Sequence, residues 1–258
     1  MAEILFLGTG GSMPTRTRDN TAFLLSAGSS RVLIDCPGAV ISKLLTAGVD
    51  PLSVQALFVT HVHPDHIYGL PSLVHGLMLH DHVIRLFGSS ETIAFCAELL
   101  DLFHLRTPRY RTRVEPTVLS PGEPDTSIEG MAATARRVAH HPSSLAYKFE
   151  IGDGETNAFF SGDTAAEAEF FSWAKGAAWL FHDCSLPSRV FTQYPALSSV
   201  HTSSLDLGRL SQEAGVRSLV PCHFLGEIEF SVAEVEHEIR THYTGRLVIP
   251  SDMERLAL

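Results

Sequence analysis

Ala56-Leu57-Phe58-Val59-Thr60-His61-Val62-His63-Pro64-Asp65-His66 is the stretch from which the rest of this chain can be read. Its first four residues form a short continuous apolar run, the pattern of a strand buried on both faces of a parallel sheet. The loop after such a strand is where α/β proteins place ligand sites. Here that loop carries His61, His63, Asp65 and His66, three imidazoles and one carboxylate within six residues. Imidazole with carboxylate suits zinc, iron or manganese. So many ligand-type side chains on one short loop cannot all reach a single ion comfortably. The packing predicts two metal ions and makes a metallohydrolase the first hypothesis.

Working outward, Ile4 to Leu7 reads as a strand entering the flexible turn Gly8-Thr9-Gly10-Gly11-Ser12. Ala22 to Leu25 and Arg31 to Ile34 form a hairpin around Gly28-Ser29-Ser30 that ends at Asp35. A helix is predicted from Ala39 to Ala47 with Gly48 beyond its end, and another begins near Tyr68. Val83 to Phe87 reads as a strand and Glu91 to Phe103 as a helix, whereas Arg106 to Pro124 reads as irregular or edge structure. Thr134 to Val138 and Ala146 to Ile151 alternate as strands on either side of His140-His141. Asn157 to Phe160, Trp179 to Phe181 and Leu219 to His223 are further strands, and Arg246 to Pro250 is the last. Helices cover Ser203 to Ala214 and Val232 to Tyr243. Both halves place strands before helices and no linker interrupts them. The expectation is two packed sheets with helices outside, in one domain over residues 1–258.

Composition narrows the function classes. With 45% hydrophobic and 19% charged residues the chain is of globular type, and no apolar segment approaches the length of a membrane span. The start, Met1-Ala2-Glu3-Ile4-Leu5-Phe6-Leu7, lacks the basic region and cleavage site of a signal peptide, so a cytoplasmic location is expected. Cys36, Cys96, Cys184 and Cys222 form no Cys-x-x-Cys pair and read as buried free thiols. A net charge of −10 argues against broad binding to nucleic acid, yet it leaves room for a small phosphate substrate beside a metal centre. Fourteen histidines are more than packing alone explains.

Several of those histidines share a pattern. His61/His63, His140, Asp163, His182/Asp183 and His223 each follow an apolar strand-like run. Strand ends along one edge of a layered sheet converge, so these residues are candidates for a single site. His-x-His-x-Asp-His after a strand, a later His, Ser161-Gly162-Asp163-Thr164 and a final strand-end His resemble the metallo-β-lactamase superfamily over nearly the whole chain. The resemblance implies an α/β (α+β), four-layer αβ/βα sandwich with a dinuclear site at the edge of its sheets. It implies one ion on His61, His63 and His140, another on Asp65, His66 and His223, and Asp163 bridging them. His140 is preferred to His141 because its spacing to Tyr147 fits the family's Gly-Tyr-Arg strand. Two such ions, roughly 3.5–4 Å apart, clamp the attacking and leaving oxygens and make hydroxide available near neutral pH, with Asp65 as ligand and proton acceptor.

Within the superfamily the resemblance is to the tRNA 3′-end endonuclease (tRNase Z) branch and its phosphodiesterase relatives. It rests on Gly8-Thr9-Gly10 through Pro14 with Arg18-Asp19-Asn20, on Thr60 to Pro71, on His182-Asp183, and on His201-Thr202-Ser203 followed by Ala214 to His223. It implies that His201, oriented by Asp183, assists the leaving group or the scissile phosphate, since a departing alkoxide benefits from a proton donor or cation. A homodimer is implied by the same likeness. Two departures argue against true tRNA processing. The branch's long basic arm is replaced by the hairpin turn Gly152 to Asn157, and Cys36-Pro37-Gly38 replaces Cys-Gly-Glu-Gly. Arg106, Arg109, Arg111 and Arg113 form the one basic patch, read as a solvated rim or dimer contact before a phosphate grip. His75, His80 and His82 read as surface or interface residues.

The leading expectation is therefore a phosphodiesterase with two divalent ions, zinc by default and manganese or iron as alternatives, acting on a small or short phosphodiester. Lactonase, thioesterase or β-lactamase chemistry on the same scaffold is the alternative, since fold alone does not choose. A mononuclear iron enzyme of the sulfur-dioxygenase kind and a non-catalytic binding subunit rank below them.

Overall fold

Side-chain alternation decides which residues meet. In Ile4-Leu5-Phe6-Leu7 the even positions enter one apolar cluster and the odd positions another, as a two-residue period requires. The computed structural model describes residues 2–152, 154 and 156–258. Its first sheet contains β1 (Ala2–Gly8), β2 (Ala22–Ala27), β3 (Ser30–Ile34), β4 (Ala56–Phe58), β5 (Val83–Gly88) and β6 (Arg113–Val118), in that spatial order. The second contains β7 (Pro124–Ile128), β8 (Met131–Arg137), β9 (Leu145–Ile151), β10 (Thr156–Phe160), β11 (Trp179–Asp183), β12 (Ser218–Cys222) and β13 (Arg246–Leu247). A last strand, β14 (Arg255–Ala257), returns to the first sheet antiparallel to β1.

Each sheet begins antiparallel and ends parallel. β1–β3 are antiparallel and β3–β6 parallel, while β7–β10 are antiparallel and β10–β13 parallel. The inner faces meet through Phe6, Phe23, Phe58, Tyr147, Phe149, Phe160 and Phe181. Rings at 5.2 Å (Phe23–Phe160) and 5.6 Å (Phe23–Phe181) tie the two sheets together.

The outer face of the first sheet is covered by α1 (Val40–Thr46), α3 (Leu70–Leu77) and α4 (Ser90–Leu102), with the short α2 (Pro64–Ile67) between α1 and α3 in sequence. The second sheet is covered by α5 (Ala168–Trp173), α7 (Ser204–Glu213) and α8 (Val232–Arg240), while α6 (Ser188–Gln193) lies on the excursion between β11 and α7. The result is the four-layer αβ/βα sandwich. Among the described residues no helix is long and apolar enough to cross a membrane.

The fold departs from the sequence reading in places where local pattern is weak. The helix expected near Tyr68 is two helices, and Asp65 and His66 lie inside the first rather than on a loop, because Pro64 at its first turn seeds a helical turn directly after His63. Edge strands β7 and β14 carry too few apolar residues to be recognised from sequence. Arg246 to Pro250 shortens to Arg246–Leu247, and α8 ends at Arg240. By contrast β6, within the stretch read as irregular or edge structure, is an edge strand of the first sheet, with Pro116 on it, as the second of those readings has it. The pairing Ile151↔Thr156 closes a tight β9–β10 hairpin; Asp153 and Glu155 of its expected turn, and Met1 at the start, lie outside the described residues.

Candidate metal centre

Parallel strands of one sheet all end at the same edge, and that geometry assembles the site. Asp35 follows β3, His61 and His63 follow β4, Asp163 follows β10, Asp183 ends β11 and His223 follows β12. His140 lies on the turn between β8 and β9, at the same edge. Two of these residues have left-handed backbones without being glycine, Asp35 at φ 63° and His223 at φ 65°. Such strain collects where the surrounding structure needs a side chain aimed in one direction.

Three histidine nitrogens face one another in a first group. His63 Nδ1 is 3.0 Å from His61 Nε2 and 3.0 Å from His140 Nε2. The far nitrogens already have partners: His61 Nδ1 meets Thr60 Oγ1 at 3.0 Å, and His140 Nδ1 donates to the Val200 carbonyl at 2.8 Å. With their protons held on the far side, the facing lone pairs of His61 and His140 cannot both be satisfied by hydrogen bonds. A cation satisfies them. Burial pushes His61 well below its ordinary pKa, and burial also lowers His63 and His140, so all three favour the neutral form that binds metal.

The second group is Asp65, His66 and His223. Asp65 Oδ2 is 3.4 Å from both His66 Nε2 and His223 Nε2. Asp163 stands between the groups, with Oδ1 3.4 Å from His66 Nε2 and Oδ2 3.7 Å from His140 Nε2 and 3.9 Å from His61 Nε2. His66 Nε2 is buried and has no hydrogen-bond partner. Burial opposes charge on Asp65 and Asp163, yet the facing histidines hold both carboxyls well below the usual range. Burial likewise opposes charge on His66 and His223, yet the carboxylates raise both. So many buried carboxylates demand positive charge, which protonated imidazoles or metal cations can supply. The donor set fits divalent ions of the zinc, manganese or iron type.

Sequence reasoning treated Asp35 only as a strand end, but it organises this centre. It accepts from Thr60 N at 2.7 Å, Thr60 Oγ1 at 2.9 Å and His66 Nδ1 at 2.8 Å. It therefore holds His66 directly and His61 through the Thr60 hydroxyl, leaving both Nε2 atoms free. On the second sheet, Asp183 Oδ2 accepts from His201 Nδ1 at 2.9 Å and from Thr164 N at 3.1 Å. Burial would lower His201, but Asp183 outweighs it and raises the imidazole to about 9. A ring nitrogen of His201 lies within 4.8 Å of donor atoms on His140 and Asp163.

Other residues lie apart. His182 turns to the outer face, between the rings of Phe170 (5.0 Å) and Phe171 (5.1 Å). His141 Nδ1 bonds Ser143 Oγ at 2.8 Å while its ring neighbours His63 at 5.2 Å. His75 and His80 are exposed, and His82 Nε2 donates to the Val54 carbonyl at 2.8 Å. All four cysteines are buried and free. The arginine patch is at the far end of its strand, since Arg113 pairs with Val83 whereas the site end of β4 is level with Phe87. Arg106 pairs with Asp101, and Arg111 and Arg113 with Asp81.

Fold, donor set and the relatives that follow together define a class: a metal-dependent hydrolase of the metallo-β-lactamase fold, on the ribonuclease Z-like branch. Similar structures include the metallo-β-lactamase fold protein YhfI from Bacillus subtilis, with TM-score 0.83, 21% identity and full coverage of both chains. A diphosphatase of the PhnP family superimposes with TM-score 0.75 at 16% identity, covering 100% of this chain and 98% of the other. A ribonuclease Z from Pseudomonas putida is 24% identical over 310 aligned positions, covering 99% of this chain and 97% of the relative. The chain belongs to the Anti-Pycsar protein Apyc1 family, whose model matches residues 2–207.

Proposed function

We propose that this protein is a metal-dependent phosphodiesterase acting on a small or short phosphodiester. In this reading His61, His63 and His140 hold one divalent ion, and Asp65, His66 and His223 hold a second. Asp163 lies between them, and zinc is the default metal, with manganese or iron suiting the same donors. Ions bound there would neutralise phosphate charge and supply a nucleophile at neutral pH. Asp65, beside the donors of both His66 and His223, is the carboxylate assigned to accept the proton of the attacking water.

The observation that carries the phosphodiester reading is His201. Asp183 fixes its Nδ1 at 2.9 Å, and the imidazole borders the donors of His140 and Asp163. An alkoxide expelled as the nucleophile attacks phosphorus gains from a donor placed there, whereas attack at a carbonyl needs no leaving-group proton until the nucleophile has added. The ribonuclease Z and diphosphatase likenesses favour the same bond type. The tight β9–β10 hairpin, the ion-paired arginines at the far end of β6 and the net charge of −10 favour a small substrate over tRNA.

Hydrolysis of bis(p-nitrophenyl) phosphate by the metal-loaded protein, abolished by chelation, tests the reading, with linear and cyclic small phosphodiesters as the wider panel. On phosphodiesters with unactivated alkoxide leaving groups, His201→Ala should lower turnover about 100-fold or more while sparing ester turnover. Equal losses would support a lactonase, thioesterase or β-lactamase instead, and a fully metallated sample inert to every phosphodiester would refute the proposal.

A further inference from the structure

We propose that Ser185 is a positioning residue that fixes the ring of His223 for metal binding and ties it to the Asp183–His201 pair. The inference rests on the two-ion reading above. His223 faces the centre through Nε2, 3.1 Å from Asp163 Oδ2 and 3.4 Å from Asp65 Oδ2. For Nε2 to bind metal, the ring proton must sit on Nδ1, and that proton needs an acceptor. Ser185 Oγ lies 3.4 Å from Nδ1, nearer than Asp183 Oδ1 at 3.8 Å. The serine's own proton goes to Asp183 Oδ1 at 2.5 Å, which leaves its oxygen free to accept.

The order of donation is then His223 Nδ1 to Ser185 Oγ, and Ser185 Oγ to Asp183, whose second oxygen takes His201. It repeats the arrangement on the other sheet, where Asp35 holds His66 directly and His61 through the Thr60 hydroxyl. Each carboxylate thus serves one imidazole directly and a second through a hydroxyl. Ser185 is fully buried, and its carbonyl accepts from Leu225 N at 3.1 Å, so its backbone also pins the turn that holds His223 in its left-handed conformation. In sequence it lies 38 residues from the histidine it serves.

Zinc uptake by the full-length protein, measured against a competing chelator, tests the proposal. Wild type should take up two ions. Ser185→Ala should keep one at wild-type affinity and bind the other about 10–100-fold more weakly, and Ser185→Thr should restore it. Ser185→Cys, which keeps the volume but accepts hydrogen bonds poorly, should resemble the alanine variant and covers the case in which alanine destabilises the fold. Unchanged affinity for both ions in the alanine and cysteine variants would overturn the proposal. So would equal weakening of both ions with a lower melting temperature of the metal-free protein, the signature of a merely structural serine. Wild type that takes up no zinc, manganese or iron would overturn the two-ion reading itself, before any variant is compared.

Discussion

Replacing Asp35 by Asn changes one atom type and should weaken the binding of an ion that, in the two-ion reading, Asp35 itself would not touch, by way of the imidazole it holds at 2.8 Å, that of His66. Asparagine tolerates the left-handed backbone at φ 63° as aspartate does, so the main chain should keep its course. The carboxylate now accepts three bonds, from Thr60 N at 2.7 Å, Thr60 Oγ1 at 2.9 Å and His66 Nδ1 at 2.8 Å. The backbone N–H cannot turn away, so the amide oxygen of Asn must face it. The amide NH2 then occupies the position of Oδ2, against Thr60 Oγ1 and His66 Nδ1. The hydroxyl can rotate and accept, but His66 must give up its Nδ1 proton and carry it on Nε2, the atom meant for metal. Affinity for the ion proposed on Asp65, His66 and His223 should fall at least 10–100-fold, with the ion proposed on His61, His63 and His140 far less affected. Loss of the charge-assisted bond should cost the metal-free protein about 1.5–3 kcal/mol, or about 3–12 °C in melting temperature. Chelator competition reads the affinities, and 15N shifts of the His66 ring read the tautomer directly. Two ions bound at wild-type affinity, with the proton still on Nδ1, would refute the reasoning.

Two further substitutions probe the frame around the site. Tyr147 Oη donates to the Val59 carbonyl at 2.5 Å, joining the second sheet to the residue just before Thr60. Tyr147→Phe leaves that buried carbonyl unpaired and should cost about 1–3 kcal/mol, read as a fall of about 2–12 °C in thermal unfolding; an unchanged melting temperature would show the bond to be dispensable. Burial lowers the pKa of His182, whose Nε2 has no partner. The unfolded chain therefore binds that proton first, and His182 withdraws stability as pH falls below about 6.5. His182→Phe should remove this contribution, so that urea unfolding of the metal-free variant loses less stability than wild type between pH 6.5 and 5. A stability difference that does not change with pH would count against it.

What could be read in the sequence was whatever repeats at short range. The apolar run before Thr60, the alternation in β1 and β9 and the strand-end positions of Asp163 and His223 all lie within a few residues of the feature they announce. The architecture followed from these, because strands buried on both faces need a layer on each side. What could not be read was partnership across the chain. Asp35 is 25 residues from Thr60, and its role appears only when β3 and β4 pair in parallel register. The helical turn at Pro64–Ile67 was obscured for a different reason. Four ligand-type residues carry no helical periodicity, so the proline that starts the turn read as a loop residue. The arginine patch was visible as composition, but only strand register puts it at the end of β6 remote from the site.

The two left-handed residues explain why the centre forms at the seam between the sheets. A parallel strand that continued straight past Ile34 or Cys222 would carry its next side chain on toward solvent or onto an outer face. A left-handed residue reverses the backbone at once, so Asp35 and His223 turn inward at the edge where the sheets meet. Each such residue costs about 1–3 kcal/mol, a cost that only a heavily determined surrounding can offset. Asp35 has that in its three donors and in the bond from its own N–H to the Phe58 carbonyl. His223 has it in Phe224 N to Thr9 O at 3.2 Å, Gly11 N to Phe224 O at 2.8 Å and Leu225 N to Ser185 O at 3.1 Å. Gly11 lets these chains approach closely: a Cβ there would come within 2.5 Å of Leu225 Cδ2 and 3.3 Å of His223 Cε1. The strain on each sheet is thus offset by groups that also orient imidazoles, and backbone and metal donors are held by one set of bonds. Relaxing either turn should therefore loosen metal affinity before it unfolds the protein.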